Sequence, residues 1–114
     1  MNQLNNEIPD HINEQFLKQF GQFPSQTTVS VIKKEGVDTL IKKNEILWYK
    51  RQIHQGVEIY DEGVVSYGTN RMYIYFKRSE GALSYKLTIL TVGTKDDNTL
   101  LMLINGLKPY FNII

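Results

Sequence analysis

The residues best equipped for chemistry lie between positions 54 and 62, where His54, Glu58, Asp61 and Glu62 supply one imidazole and three carboxylates. Such groups hold a metal ion or move protons when a fold brings them together. Their spacing argues for turns instead. Gly56 separates His54 from Glu58, and Asp61-Glu62-Gly63 reads as a hairpin loop in which Gly63 supplies a positive φ. No Gly-rich phosphate loop, His-Glu-x-x-His or Gly-x-Ser-x-Gly occurs. The histidines number two, His11 and His54, and cysteine is absent, which removes disulfides, thiolate metal sites and thiol nucleophiles. The chain reads as a non-enzyme with no cofactor and no metal.

A second set of residues suits binding. Tyr73, Tyr75 and Lys77 alternate along one strand candidate, Lys86 lies on the next, and Tyr49 is expected to join them. Aromatics interleaved with lysines on an open sheet stack bases and hold phosphates in single-strand binders. Tyr and Lys are equally ordinary cross-strand partners on a half-solvated sheet. Tyrosine-rich patches are also the composition of protein-interface hot spots. A net charge of +1, from 13 basic and 12 acidic side chains, argues against a broad nucleic-acid footprint.

That near-neutrality is a cancellation between segments. Residues 33–51 carry six basic groups against three acidic ones, and residues 71–86 carry Arg71, Lys77, Arg78 and Lys86 against Glu80. Between them, residues 52–70 hold Glu58, Asp61 and Glu62 with no Lys or Arg. The expectation is an acidic hairpin flanked by basic regions, a polarised surface for a partner.

Positioning these residues falls to a chain of 114 amino acids, long enough for one domain with one core. A single alanine (Ala82) against 12 Ile, 10 Lys, 9 Asn and 7 Tyr tilts it toward strands. The same bias follows AT-rich codons and implies an AT-rich bacterium, or a phage or plasmid within one. Pro9 and Asp10 suit a first helical turn, Ile12, Phe16, Leu17 and Phe20 recur at helical spacing, and Gly21 sits where a C′ residue belongs. Strands are predicted at 27–33, 37–41, 46–53, 57–60, 64–67, 71–78 and 84–92, with connections short enough only for antiparallel neighbours. A closing helix follows, with Thr94 as N-cap and a Leu100, Leu103, Ile104, Leu107 stripe.

Both helices are expected on one sheet face. A tight turn at 79–82 sets Phe76 opposite Tyr85 and Ile74 opposite Leu87, which leaves Tyr73, Tyr75, Lys77 and Lys86 on the open face. Trp48, alternating with Ile46, is expected in the core and Tyr49 on the open side. The loop 68–71 places Val65 opposite Ile74. The apolar tail of Phe111, Ile113 and Ile114 is expected to tuck against the core.

The fold class predicted is α+β: an N-terminal helix, an antiparallel meander of five to seven strands, and a C-terminal helix on one face. No apolar run approaches the roughly 20 residues of a membrane helix. Residues 1–22 lack the basic, apolar, small-residue order of a signal peptide, which predicts a cytoplasmic protein. The function expected is a small protein-binding domain of the inhibitor, immunity, anti-defence or adaptor kind. It would occlude a partner through Tyr49, Tyr73, Tyr75, Lys77 and Lys86, or through Glu58, Asp61 and Glu62. Single-stranded nucleic-acid binding on the Tyr/Lys face is the alternative.

Overall fold

The computed structural model describes residues 7–68, 71–79, 83–93 and 96–114. Three helices and six strands follow in the order α1 (Asp10–Phe20), β1 (Ser25–Lys33), α2 (Val37–Lys43), β2 (Ile46–His54), β3 (Val57–Ser66), β4 (Met72–Arg78), β5 (Ser84–Thr91), α3 (Asp97–Gly106) and β6 (Phe111–Ile113). The strands form one sheet in the order β2-β3-β4-β5-β1-β6, with every neighbouring pair antiparallel. Strands β2 to β5 are the predicted meander. Strand β1 returns beside β5, and the apolar tail adds β6 to its far side, with Phe111 fully buried against Tyr85.

The helices cover opposite faces, which corrects the one-face expectation. Ile12 and Phe16 of α1 pack with Val64, Tyr75, Leu90 and Val92. On the other side, Val37 and Leu40 of α2 and Leu103 and Leu107 of α3 pack with Val65, Ile74, Phe76, Leu87 and Ile89. Successive strand residues point to opposite faces, so apolar neighbours such as Val64-Val65 and Ile89-Leu90 demand cover on both. Each fully buried Leu, Ile or Phe in these layers contributes roughly 1.5–3 kcal/mol.

The segment 37–41, expected as a strand, is helical. Val37, Leu40 and Ile41 fit a helical period as well as a strand, Asp38 lies in the first turn, and Lys42 and Lys43 lie in the last. Asn44 closes the helix by donating its side-chain amide to the Leu40 carbonyl at 2.8 Å. Helix α3 begins at an Asp96 N-cap that accepts from the Thr99 amide at 2.8 Å. The expected Thr94 cap lies outside the described residues.

Two extra residues reshape the β2–β3 ribbon. Ile46 pairs with Val65 and Trp48 with Val64, which leaves Leu47 over; Gln52 pairs with Tyr60 and Ile53 with Glu58, which leaves Ile59 over. Such bulges reverse side-chain alternation. Leu47 and Trp48 therefore both pack toward α1, whereas Tyr49 lies against Phe76 on the α2/α3 face, the reverse of the expected assignment. The β4–β5 register is also displaced by two: Phe76 faces Leu87 and Ile74 faces Ile89. A shift of two preserves every face. The β3–β4 loop has the predicted length, with Val65 opposite Ile74 and the Tyr67 amide donating to Met72.

Candidate functional site

The supposed loop Asp61-Glu62-Gly63 lies inside strand β3, and all three residues are buried. Gly63 does not have a positive φ. Its role is close approach, since a Cβ there would meet the Trp48 carbonyl oxygen at 2.7 Å and the Phe76 ring at 2.9 Å. The turn nearby is at Gln55-Gly56, both left-handed, joining His54 to Val57. His54 is exposed there, and among the described residues no group of three or more His, Cys, Asp or Glu could hold a metal ion.

The acidic segment is neutralised by its neighbours. Strand β3 runs between the basic strands β2 and β4, with Arg51 opposite Asp61, and with Lys50 and Lys77 flanking Glu62. On the α2/α3 face, fully buried Asp61 accepts from Arg78 Nε at 2.9 Å and lies 2.9 Å from the Tyr85 hydroxyl. Arg78 also donates to Glu58, whose other oxygen lies 2.6 Å from Arg51 Nε. Arg51 then reaches Asp38 at 2.5 Å, tying the first turn of α2 to β2. The Arg51 hydrogen bond holds the Asp38 carboxyl below its usual range, and burial, then the Asp61 hydrogen bond, push the Tyr85 phenol up.

Glu62 belongs to the other face. Its two oxygens accept from the Tyr60 hydroxyl at 2.5 Å and the Tyr75 hydroxyl at 2.6 Å. Burial, reinforced by those bonds to a carboxylate, raises both phenols well above their ordinary value. Asp61 and Glu62 are thus withdrawn from the surface, and Glu58 is half-buried among arginines.

Helix α1 covers part of its face and closes the expected aromatic platform. Tyr73 packs edge-on against Phe16 at 5.0 Å and lies 6.3 Å from Phe20, while Tyr75 is 2% exposed. Tyr49, half-buried on the opposite face under the Arg51 guanidinium, is not beside Lys86. Of the residues expected on the open face, Lys77 and Lys86 are the two that stand in solvent.

They stand in a groove. A cavity of about 750 Å³ opens on the uncovered half of this face, and Ser30, Tyr75, Ser84, Thr88, Glu7 and Ile114 line it together with the two lysines. Lys77 and Lys86 are directly opposite each other in the β4–β5 ladder, and Ser30 follows Lys86 on β1. Among the described residues neither lysine has an ion-pair partner. Thr28 and Thr88 share a hydroxyl hydrogen bond of 3.0 Å in the next row. The polar alternation Gln26, Thr28, Ser30 within β1 is the sequence signal for this wall, and it is weak because Ser and Thr occupy any solvated strand. The groove offers two ammonium groups and several hydroxyls to an anionic ligand.

No protein family matches this chain, and comparison with curated proteins and with solved structures finds no match either.

Proposed function

We propose that this chain is a non-enzymatic binding domain that captures an acidic segment of a partner protein in the Lys77/Lys86 groove and occludes it. The supporting observation is the facing pair of lysines. Like charges directly opposite in an antiparallel ladder are destabilising. Glu62, in register beside Lys77, offsets part of that cost, but Lys86 has no acid in register among the described residues, its neighbours across the ladders being Lys77 and Ser30. A feature that costs stability without a structural return belongs with binding. A domain of this kind serves as an inhibitor, immunity or anti-defence protein, or adaptor, in the cytoplasm.

A protein ligand is favoured over single-stranded nucleic acid because Tyr73 packs edge-on under α1 and Tyr75 is buried with its hydroxyl tied to Glu62, so neither ring presents an open face to a base. Nuclear magnetic resonance titration with a short oligoglutamate peptide and a short oligothymidylate tests both. The expected result is peptide-induced shifts centred on Lys77, Lys86, Ser30 and Ser84, lost in Lys77→Ala/Lys86→Ala and reduced by salt. Tighter binding of the oligonucleotide, or peptide shifts unchanged in the double variant, overturns the reading. No helix among the described residues is long and apolar enough to cross a membrane.

A further inference from the structure

Among the described residues, the sheet edge beside the groove is left partly unpaired. Strand β1 spans Ser25–Lys33, yet β6 pairs only with Val31, Ile32 and Lys33, followed by the Ile114 amide donating to the Ser30 carbonyl at 3.1 Å. Among the described residues, no group pairs with the backbone of that edge from Ser25 to Val29; the Glu7 amide donates to the Gln26 side chain at 3.2 Å, not to its backbone.

Which backbone groups face the unpaired side follows from the ladder. The Lys33 amide donates to Leu83, toward β5, whereas the Ser30 carbonyl accepts from Ile114, toward β6. The β1–β5 register runs without a break from Ser25↔Thr91 to Ile32↔Ser84. Directions therefore alternate strictly, and the N–H and C=O groups of Gln26 and Thr28 face the unpaired side. Unpaired edge groups are a template for an added strand.

We infer that the partner's acidic segment binds as an extended strand, antiparallel to β1 and in line with β6, hydrogen-bonded to the backbone of Gln26 and Thr28. This rests on the groove reading above and specifies the ligand's conformation. The two faces of that edge dictate its pattern. Ligand residues opposite Gln26 and Thr28 project to the face that carries Lys86 and Lys77, and the lysines stand one row beyond Thr28, in register with Ser30, so a carboxylate opposite Thr28 is the nearer to them. Ligand residues opposite Thr27 and Val29 project to the α2/α3 face, where Val29 is half-buried against the main core. The ligand is thus an alternating acidic/apolar segment, and an unpatterned polyanion satisfies only one of its two faces.

The probe is a short peptide of alternating glutamate and valine, compared with oligoglutamate. Hydrogen exchange of the Gln26 and Thr28 amides should slow about tenfold or more on saturation with the alternating peptide, because two ladder bonds now protect them. Thr28→Pro removes an N–H that faces the unpaired side and leaves the β1–β5 ladder bonds intact, a position where proline is tolerated. It should weaken the alternating peptide about tenfold and leave oligoglutamate unaffected. Thr28→Val, which keeps the N–H and loses only the hydroxyl, should bind like the parent. Shifts at Lys77 and Lys86 with no protection of Gln26 and Thr28 overturn the added strand while the groove stands. Absence of binding by either peptide overturns both. The exchange readout on the unsubstituted protein decides the matter even if Thr28→Pro does not fold.

Discussion

Glu58 and Asp61 lie three residues apart on one strand and reach the same guanidinium, that of Arg78. In a regular strand an odd separation sends side chains to opposite faces. The extra residue Ile59 reverses the alternation between them and brings both carboxylates to Arg78. The bulge is the device that turns a run of acids into a closed network with Arg51, Arg78 and Tyr85.

Removing one member of that network should be costly. Arg78→Met leaves Asp61, fully buried, without its main cationic partner. A loss of about 3–5 kcal/mol is expected in chemical denaturation. Replacing both, as Arg78→Met with Asp61→Leu, should recover most of it. A single variant as stable as the parent would show that the Asp61 carboxylate does not depend on Arg78.

Gly63→Ala tests packing alone. The added methyl meets the Trp48 carbonyl at 2.7 Å, and backbone cannot step aside as a side-chain tip can. The expected loss is roughly 1–3 kcal/mol, as for other overpacked sites. Pairing it with Phe76→Leu should recover little, because the backbone clash persists.

Lys86→Glu should separate stability from binding. A carboxylate opposite Lys77 replaces repulsion with attraction across the ladder, with an expected gain of about 0.2–1 kcal/mol in thermal unfolding. The same change should abolish oligoglutamate binding. A variant that is both less stable and still able to bind would contradict the assigned cost of the lysine pair.

Tyr49 offers a prediction in pH. Its hydroxyl is buried without a hydrogen-bond partner among the described residues, and burial, helped by the charges of Asp61 and Glu58, pushes its phenol up to about 12. The unfolded chain ionises this group near pH 10 while the folded chain holds it neutral, so unfolding gains as pH rises from 10 toward 12. Stability should fall across that window, and ultraviolet titration should show tyrosinate appearing late and with unfolding. Tyr49→Phe should add about 1 kcal/mol at neutral pH by deleting an unsatisfied hydroxyl. It should also lessen the alkaline loss.

What was legible in the sequence follows its periodicities. The stripe Ile12, Phe16, Phe20 announced α1, Leu100 to Leu107 announced α3, and alternation divided β4 and β5 into their correct faces even though their register is shifted by two. A shift of two leaves a period of two unchanged, which is why the error did no harm there. Bulges were not legible. One surplus residue at Leu47 or Ile59 changes no composition, yet it exchanged Trp48 with Tyr49 and converted an expected loop into a buried strand. Of the candidate site, Lys77 and Lys86 emerged from alternation, whereas Ser30, Thr88 and the unpaired edge depend on β1 returning beside β5. No local pattern encodes that return.

The placement of acidic β3 between β2 and β4 also bears on how the chain avoids folding wrongly. Both outer strands carry adjacent cations, Lys50-Arg51 and Lys77-Arg78, so a collapsed state that set β2 directly against β4 would crowd four positive charges into one ladder. Interposing β3 sets Asp61 and Glu62 between them. The charge order along the chain thus discriminates among strand sequences before side chains lock together, and the neutral total conceals instructions for assembly.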